Sequence, residues 1–282
     1  MTSGNEELLE LLKNSGDDEA ELDLKILSEK LEGEDLIKAV TRRASGEPLA
    51  YILGYRHFYK ECYKVCPGVL IPRADTEVLV ESALKFFGMN PMATGDLLNI
   101  PGYTNEVSEI RFADLCTGSG CIGISIANDI VRSGKKACGY LVDVSDTAIA
   151  TAASNAGSQA LNAEDINVIK CNILKEIPQF GSIDLIVSNP PYITNSEMEE
   201  LDKVVKDHEP DLALRAGDDG LDFYGPLAEC AKKLLKDGGA LMVEHGYAQG
   251  EAVREIFGQA GLKNCMTIRD YGGNDRVTLG IK

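Results

Sequence analysis

The chain has 282 residues, a hydrophobic content of 44% and a net charge of −17, and it contains no tryptophan. This length favours one large domain with a small companion. The strong negative charge repels phosphate backbones, so it argues against a DNA or duplex RNA substrate and predicts no direct nucleic-acid partner. The low aromatic content, 6%, also argues against a base-stacking platform.

The cysteine and histidine pattern predicts no metal site. The chain contains eight cysteines and three histidines, but no C-x-x-C pair. Zinc ligands usually come in closely spaced pairs, which are missing from this sequence. The thiols are therefore expected to be reduced, as in a cytoplasmic protein. No stretch resembles a signal peptide or is apolar for long enough to cross a membrane, so no membrane partner is expected.

The first part of the chain, residues 1–50, is predicted to form a small helical domain. Apolar residues recur there at three- and four-residue steps among charged residues, which is typical of two or three short amphipathic helices. Residues 51–73 are expected to form a hairpin or an extended linker, and a helix is predicted over 75–87. The segment 88–109 is rich in Gly, Pro, Asn and Thr without periodicity, which predicts a surface loop or insertion.

Residues 74–282 are predicted to form an α/β domain. From Ile110 onward, short apolar runs alternate with helical stretches, which is typical of a parallel sheet with helices on both faces. The predicted strands lie near 111–116, 137–142, 166–169, 183–188 and 240–244, and the predicted helices lie near 121–132, 146–156, 223–236 and 249–260. Two final runs, 263–268 and 276–281, have no helix between them, so the sheet is expected to end in an antiparallel hairpin.

The tetrapeptide Asn189-Pro190-Pro191-Tyr192 directly follows the apolar run 183–188. The run predicts a buried strand, which the two prolines end abruptly. In open α/β folds, ligands bind at the carboxyl ends of the strands. There an asparagine carbonyl and a backbone carbonyl can accept the two hydrogens of a planar NH2 group, while the tyrosine ring lies against its face. The tetrapeptide therefore favours a site that activates nitrogen, although four residues alone leave a simple proline-rich turn open.

A glycine turn and an acidic residue precede the tetrapeptide in the chain. The turn contains Gly118 and Gly120, follows the first predicted strand of the sheet and opens a helix, so its backbone can approach a ligand closely. Asp143 ends the second strand, 23 residues after Gly120, where an acid can accept both hydroxyls of a ribose. A role at the start of the following helix is the alternative for Asp143. In this order, the turn, the acid and the tetrapeptide favour a ribose-bearing cofactor beside a site that holds an NH2 group.

These motifs resemble the class I S-adenosylmethionine-dependent methyltransferases, and as a full set they resemble the release-factor glutamine N5-methyltransferases. Beyond the cofactor motifs, the resemblance includes residues 46–54 and the segment Leu70-Ile71-Pro72-Arg73-Ala74-Asp75-Thr76-Glu77. It extends from about Arg43 to the C-terminus. It implies a Rossmann-like class I methyltransferase sheet, mostly parallel with a C-terminal antiparallel hairpin, over 74–282. The helical domain 1–50 is then interpreted as the substrate-docking domain.

The resemblance also implies the reaction and its residues. The acceptor is the glutamine of the Gly-Gly-Gln motif in class 1 peptide chain release factors, and S-adenosyl-L-methionine is converted to S-adenosyl-L-homocysteine. Asn189 and the carbonyl of Pro190 accept the hydrogens of the substrate amide, Tyr192 packs against the amide plane, and Pro191 completes the substrate site. The implied cofactor contacts are Cys116, Thr117, Gly118, Ser119, Gly120, Asp143, Asn172, Ile173 and Asn189.

Two cofactor positions depart from the family pattern. Cys116 stands where the family usually has glycine, and if the position needs a positive φ, the turn is expected to shift slightly. Asn172 replaces a common acid, but its side-chain carbonyl can still accept a hydrogen bond from the adenine amino group. Outside the cofactor site, Arg73 and Glu77 are spaced as i,i+4 neighbours and are interpreted as a local ion pair in the active-site wall.

Two other functions remain as alternatives. Enzymes that methylate exocyclic amino groups of nucleic acids, as in N6-adenine methylation, also use Asn-Pro-Pro-Tyr. They need a basic surface and often flip a base out of its stack, which the charge of this chain argues against. A cofactor-binding scaffold that activates a partner methyltransferase is the non-enzymatic alternative. The intact tetrapeptide argues against that role.

Overall fold

The computed structural model describes residues 3–90, 95–105 and 107–282. The α-helices in these ranges are α1 Ser3–Asn14, α2 Ala20–Lys30, α3 Gly33–Ala44, α4 Leu49–Leu53, α5 Glu77–Phe86, α6 Cys121–Arg132, α7 Asp146–Gln159, α8 Glu197–Glu200, α9 Lys203–His208, α10 Tyr224–Leu234 and α11 Gly250–Gln259. The strands are β1 Tyr55–Phe58, β2 Glu61–Lys64, β3 Glu109–Leu115, β4 Lys136–Asp143, β5 Ile166–Lys170, β6 Ile183–Ser188, β7 Leu235–Glu244, β8 Lys263–Arg269 and β9 Asp275–Ile281. Within the described residues, every helix is too short or too polar to cross a membrane.

The first three helices pack around a small hydrophobic core of their own. Leu12, Leu27 and Val40, from α1, α2 and α3, are fully buried in it. At the end of α3, the guanidinium of Arg43 donates to Asp17 Oδ1 at 3.1 Å and to Asp23 Oδ2 at 2.5 Å. The helical spacing of this segment therefore predicted its secondary structure correctly, while its boundary as a separate domain stays a prediction.

The two short strands β1 and β2 form an antiparallel hairpin between the helices and the main sheet. Its inward side chain, Tyr63, is fully buried, and its hydroxyl lies 2.7 Å from Ser125 Oγ of α6. Within the segment 51–73, which was expected to be a hairpin or an extended linker, residues 55–64 form a hairpin, whereas residues 51–53 belong to α4 and residues 65–73 contain no strand.

The main sheet has seven strands in the order β5-β4-β3-β6-β7-β9-β8. The strands from β5 to β7 pair in parallel, and β9 pairs antiparallel with both β7 and β8. The mostly parallel sheet with a C-terminal antiparallel hairpin is thus confirmed. From β3 the chain continues to β4 on one side, and later it enters β6 on the other side. The carboxyl ends of β3 and β6 therefore flank the switch point of the sheet, where ligands bind in open α/β folds.

Helices cover both faces of the sheet, as the strand β6 illustrates. All six of its residues are buried, and its apolar side chains reach two cores, one on each face of the sheet. Leu185 and Val187 face the core that contains α5 and α6. Ile183 and Ile186 face the core that contains α10 and part of α11. Burial on both faces explains why apolar residues stand at both odd and even positions of β6 instead of alternating with polar ones.

One local expectation differs from the structure, and another gains detail. The described part of segment 88–109 lies mostly at the surface, as expected, but it is anchored to the domain: the Tyr103 ring lies 5.2 Å from that of Phe86, and its hydroxyl donates to Asp184 Oδ1 at 2.5 Å. Residues 91–94 and 106 of this segment lie outside the described residues. The helix predicted over 223–236 ends at Leu234, because Leu235 already pairs with Ile183 in the sheet.

Candidate active site

The parallel register places the ends of four strands side by side. Leu115 of β3 lies opposite Val142 of β4 and Ser188 of β6, and Ser188 lies opposite Val243 of β7. The residues that come next in the four strands are Asp143, Cys116, Asn189 and Glu244. Backbone pairing alone thus brings the glycine turn, the strand-end acid and the tetrapeptide to one edge of the sheet.

A cavity of about 390 Å³ opens at this edge. The expected site residues that line it are Cys116, Thr117, Gly118, Ser119, Asp143, Asn172, Ile173, Asn189 and Pro191. Gly120, Pro190 and Tyr192 are not among the residues that line it. The cavity volume falls within the range of small-molecule and cofactor sites, roughly 300–1,000 Å³.

The glycine turn adopts three left-handed conformations, with φ of 63° at Cys116, 56° at Gly118 and 83° at Gly120. The expectation that a non-glycine residue would shift the turn is therefore wrong, because Cys116 itself takes the positive φ. Gly120 also meets a steric requirement: a Cβ there would lie 3.0 Å from Ile124 Cδ1 and 3.2 Å from Leu141 Cδ1. This tight packing brings the start of α6 against the sheet.

Asp114, which sequence reasoning assigned no role, holds the turn from behind. Its Oδ2 accepts hydrogen bonds from the Thr117 hydroxyl at 2.6 Å and from the backbone N–H of Gly123 at 3.0 Å. The residue is fully buried, and burial raises the pKa of its carboxyl to about 7. The sequence did carry a signal for this role: Asp114 is an acidic residue within an apolar strand, directly before a glycine turn.

Asp143 faces the cavity with its carboxylate fixed by the backbone. Its Oδ2 accepts from the N–H of Gly118 at 2.9 Å, and its Oδ1 accepts from the N–H of Ser145 at 2.9 Å. Each carboxylate oxygen can accept a second hydrogen bond. Asp143 therefore ties the second strand to the glycine turn and still offers two acceptor positions to a ligand.

Asn172 and Ile173 form the next part of the wall, after strand β5. The side-chain oxygen of Asn172 accepts from the backbone N–H of Leu174 at 3.0 Å, which fixes this loop as an Asx turn. Ile173 is buried, with its side chain against the α10 side of the sheet. The pair thus presents one apolar and one polar side chain to the cavity.

Asn189 presents its two amide ends in different directions. Its Nδ2 donates to Thr76 Oγ1 at 3.2 Å. Its Oδ1 makes no hydrogen bond to a described residue and is not among the buried polar atoms, so it is open to the cavity. The carbonyl oxygen of Pro190 likewise has no hydrogen-bond partner among the residues that the structure describes. Two successive residues at the end of β6 therefore each carry an oxygen that accepts no hydrogen bond from a described residue.

Tyr192 is held from two sides. Its hydroxyl donates to Glu244 Oε1 at 3.5 Å, a long contact, and its backbone carbonyl accepts from Gln249 Nε2 at 3.0 Å. The Gln249 side chain is fixed in turn, because its oxygen accepts from the N–H of Gly246 at 2.8 Å. Burial raises the pKa of the Tyr192 phenol, so the ring stays neutral.

Glu244 is the buried carboxyl at this edge, 1% exposed at the end of β7. Burial raises its pKa to about 7, against the lowering effects of the Thr76 hydroxyl and the Arg276 guanidinium. Its Oε2 is buried without a hydrogen-bond partner in the described part of the chain.

Comparison with known proteins identifies the family. A methyltransferase domain family matches residues 106–271. Release factor glutamine methyltransferases from Geobacter sulfurreducens and Haemophilus influenzae are each 38% identical to the chain, over 86% and 87% of it and 75% and 80% of their own lengths. The protein of the same description from Fusobacterium nucleatum subsp. nucleatum is also 38% identical, over 86% of this chain but only 62% of its own length. The chain belongs to the release factor glutamine methyltransferase family.

Similarity to solved structures is weaker and adds nothing to this assignment. The ribosomal protein L11 methylase from Lactobacillus delbrueckii subsp. bulgaricus is 16% identical and aligns over 77% of this chain and 83% of its own, with a TM-score of 0.44.

The methyltransferase cavity has a second wall, which sequence reasoning described incorrectly. Arg73 forms its ion pair with Glu209, which also accepts from the N–H of Ile71 at 3.3 Å. Glu77 instead accepts from the N–H of Tyr59 at 2.9 Å, so the expected Arg73–Glu77 pair is wrong. Arg73 precedes the 3-10 turn Ala74–Thr76 and Glu77 begins α5, so the two side chains do not share a helical face.

Thr76 is the other wall residue of this methyltransferase that sequence reasoning missed. The resemblance includes it only as one residue of the segment 70–77, yet it lines the cavity and contacts Asn189. The contact spans 113 residues of sequence, so local patterns carry no signal for it.

Proposed function

We propose that this protein methylates the side-chain amide nitrogen, N5, of the glutamine in the Gly-Gly-Gln motif of class 1 peptide chain release factors, with S-adenosyl-L-methionine as methyl donor. The observation that carries the proposal is the Asn189 amide, whose oxygen is open to the cavity beside Cys116 and Asp143. Membership in the release factor glutamine methyltransferase family supports the same substrate.

The cavity suits the proposed methyl donor. Asp143 keeps two acceptor positions for the ribose hydroxyls. The left-handed turn from Cys116 to Gly120 lets the backbone approach the ligand closely. Ile173 offers an apolar contact to the adenine ring, and Asn172 Oδ1 keeps one further acceptor position for its amino group. When bound, S-adenosyl-L-methionine supplies an electrophilic methyl group, so the residues around it need only align the acceptor.

The tetrapeptide has the features required for the acceptor amide. Asn189 Oδ1 and the carbonyl of Pro190 can accept its two hydrogens, since neither oxygen has another partner among the described residues. An amide nitrogen becomes more positive as it reacts, and fixed acceptors stabilise that charge. Pro191 lines the cavity, and Tyr192 supplies a neutral ring, fixed at both ends, to pack against the amide plane.

The N-terminal helices are the proposed docking surface for the release factor. One glutamine side chain offers too little contact to select a protein, so recognition must extend beyond it. Leu22 and Ile37 are 49% and 53% exposed on α2 and α3, which gives these helices apolar contact area in an acidic surface. Because release factors act in translation, we place the reaction in the cytoplasm.

Transfer of labelled methyl from S-adenosyl-L-methionine tests the proposal. The substrates are a purified class 1 release factor, the same factor with Gln→Ala in its Gly-Gly-Gln motif, duplex DNA and transfer RNA. We expect labelling of the unaltered factor alone. Equal labelling of both factors would rule out the glutamine. Labelling of a nucleic acid alone would establish the exocyclic-amino alternative, against which the net charge of −17 already argues.

A further inference from the structure

The contact between Thr76 and Asn189 determines which end of the amide faces the acceptor. Thr76 is 2% exposed and ends the 3-10 turn before α5. Its Oγ1 accepts from Asn189 Nδ2 at 3.2 Å. Since the amide has one donor end and one acceptor end, this contact turns Oδ1 toward the cavity.

The opposite orientation would leave the site without its acceptor. If the Thr76 hydroxyl donated to Asn189 Oδ1, the NH2 group of Asn189 would face the NH2 group of the substrate. Two donors then meet, and neither finds a partner. A hydroxyl can serve as donor or as acceptor, so Thr76 fixes the productive orientation only if its own hydrogen is directed elsewhere.

Glu244 provides the place for that hydrogen. Glu244 lies on the strand next to the one that Asn189 follows. The reason is that Ser188, which precedes Asn189, pairs with Val243, which precedes Glu244. One of its oxygens, Oε1, contacts the Tyr192 hydroxyl, and the other, Oε2, is buried without a partner among the described residues. The Thr76 hydroxyl lies near this carboxyl and lowers its pKa, although the two make no hydrogen bond of ordinary geometry among the described contacts. Leaving such an oxygen unpaired is costly, so it attracts the hydroxyl hydrogen.

We propose that Thr76 is a positioning residue that orients the Asn189 amide with its carbonyl toward the acceptor nitrogen, and that Glu244 supports this by accepting the hydroxyl hydrogen of Thr76. The orientation of the amide follows from contacts within the chain. Its consequence for catalysis rests on the proposed function, because it needs an NH2-bearing acceptor.

The kinetic test compares Thr76→Val, which keeps the shape but removes the hydroxyl, with Thr76→Ser, which keeps the hydroxyl. We expect Thr76→Val to lower kcat about 10- to 100-fold, as for loss of one positioning hydrogen bond, with the cofactor Kd changed less than about threefold. Thr76→Ser should recover most of this loss. Thr151→Val is the matched control, since Thr151 is also buried and the one hydrogen bond of its hydroxyl among the described residues is a long one, with Cys66 Sγ at 3.5 Å.

A second test needs no substrate. The side-chain NH2 signals of Asn189 are assigned in a ¹⁵N NMR spectrum by their loss in Asn189→Ala. We expect one sharp pair in the unaltered protein and in Thr76→Ser. In Thr76→Val the pair should shift and exchange its hydrogens faster with solvent.

Three outcomes would overturn the proposal: an Asn189 signal unchanged in Thr76→Val, a Thr76→Ser variant as defective as Thr76→Val, or a fall in kcat matched by an equal loss of cofactor affinity. The last would mark local disruption. If the unaltered protein labels no release factor, the proposed function fails separately, and the NMR comparison still decides whether Thr76 orients the amide.

Discussion

The edge of the main sheet and the N-terminal helices reach their order by different physical means. At the edge, backbone pairing fixes Asp143, Cys116 and Asn189 relative to one another before any side chain contributes. In the helices, side-chain contacts fix the surface that carries Leu22, namely the packing around Leu27 and the hydrogen bonds of Arg43. In the proposed function, the chemistry lies at the edge that backbone pairing orders, and recognition of the release factor lies on helices that are ordered by side-chain contacts.

Among the substitutions that test this difference, the largest loss of activity is expected at Asn189. Asn189→Ala removes the open acceptor at the end of β6. We expect kcat to fall about 10²- to 10³-fold, the usual loss when one fixed group that stabilises a transition state is removed. The cofactor Kd should change only a few fold, because the contacts of Asp143 remain. Single-turnover methyl transfer and calorimetric binding of S-adenosyl-L-homocysteine measure the two quantities.

The matched control for this variant is Asn167→Ala, an exposed asparagine of β5. It should behave as the unaltered protein. A kcat for Asn189→Ala within threefold of the unaltered protein would show that the edge does not carry the chemistry.

The next effect concerns the core of the helices. Leu27 is fully buried in α2, whereas Leu22 in the same helix is half exposed. Leu27→Ala should reduce the free energy of unfolding of this region by about 2–5 kcal/mol, and Leu22→Ala by less than about 0.5 kcal/mol. Thermal unfolding followed by circular dichroism measures the change.

In kinetics, Leu27→Ala should raise KM for the release factor and leave the cofactor Kd unaltered. Loss of cofactor binding in parallel with the loss of helix stability would mean that the two regions form a single functional unit.

A smaller effect, on cofactor affinity, is expected when Asp143 is substituted. Asp143→Ala leaves the N–H groups of Gly118 and Ser145 without their acceptor and removes two positions for ligand hydroxyls. We expect the Kd of S-adenosyl-L-homocysteine to rise about 10- to 100-fold. Asp143→Asn keeps a single acceptor oxygen and should fall between the two. Calorimetry measures both, and equal Kd values in all three proteins would refute the assignment of Asp143 to the ribose.

The sequence allowed correct prediction of those features that depend on local pattern. The strands of the main sheet, the hairpin at its end and the strand-end position of Asn189 and Asp143 follow from apolar runs and the residues that stop them. The partners of Arg73 and Asn189 did not follow, because they lie 136 and 113 residues away in sequence. Contacts of that kind are set by how segments fold over one another, so i,i+4 spacing predicted the wrong partner for Arg73.

Cys116 gives the smallest effect and tests how strictly the edge fixes its backbone. Its φ of 63° costs a non-glycine residue about 1–2 kcal/mol, which Cys116→Gly would relieve. Glycine loses about 0.5–1 kcal/mol through its greater freedom in the unfolded chain, and the contact of the thiol with the neighbouring core is lost as well. These effects nearly cancel, so we expect the free energy of unfolding to change by less than about 1 kcal/mol.

Cys116→Val, which adds a branch at a left-handed position, should destabilise by about 1–3 kcal/mol. Urea unfolding separates the two variants. Equal stability of the two variants would mean that the turn can relax away from its positive φ. Backbone pairing would then constrain the edge of the sheet less strictly than we infer.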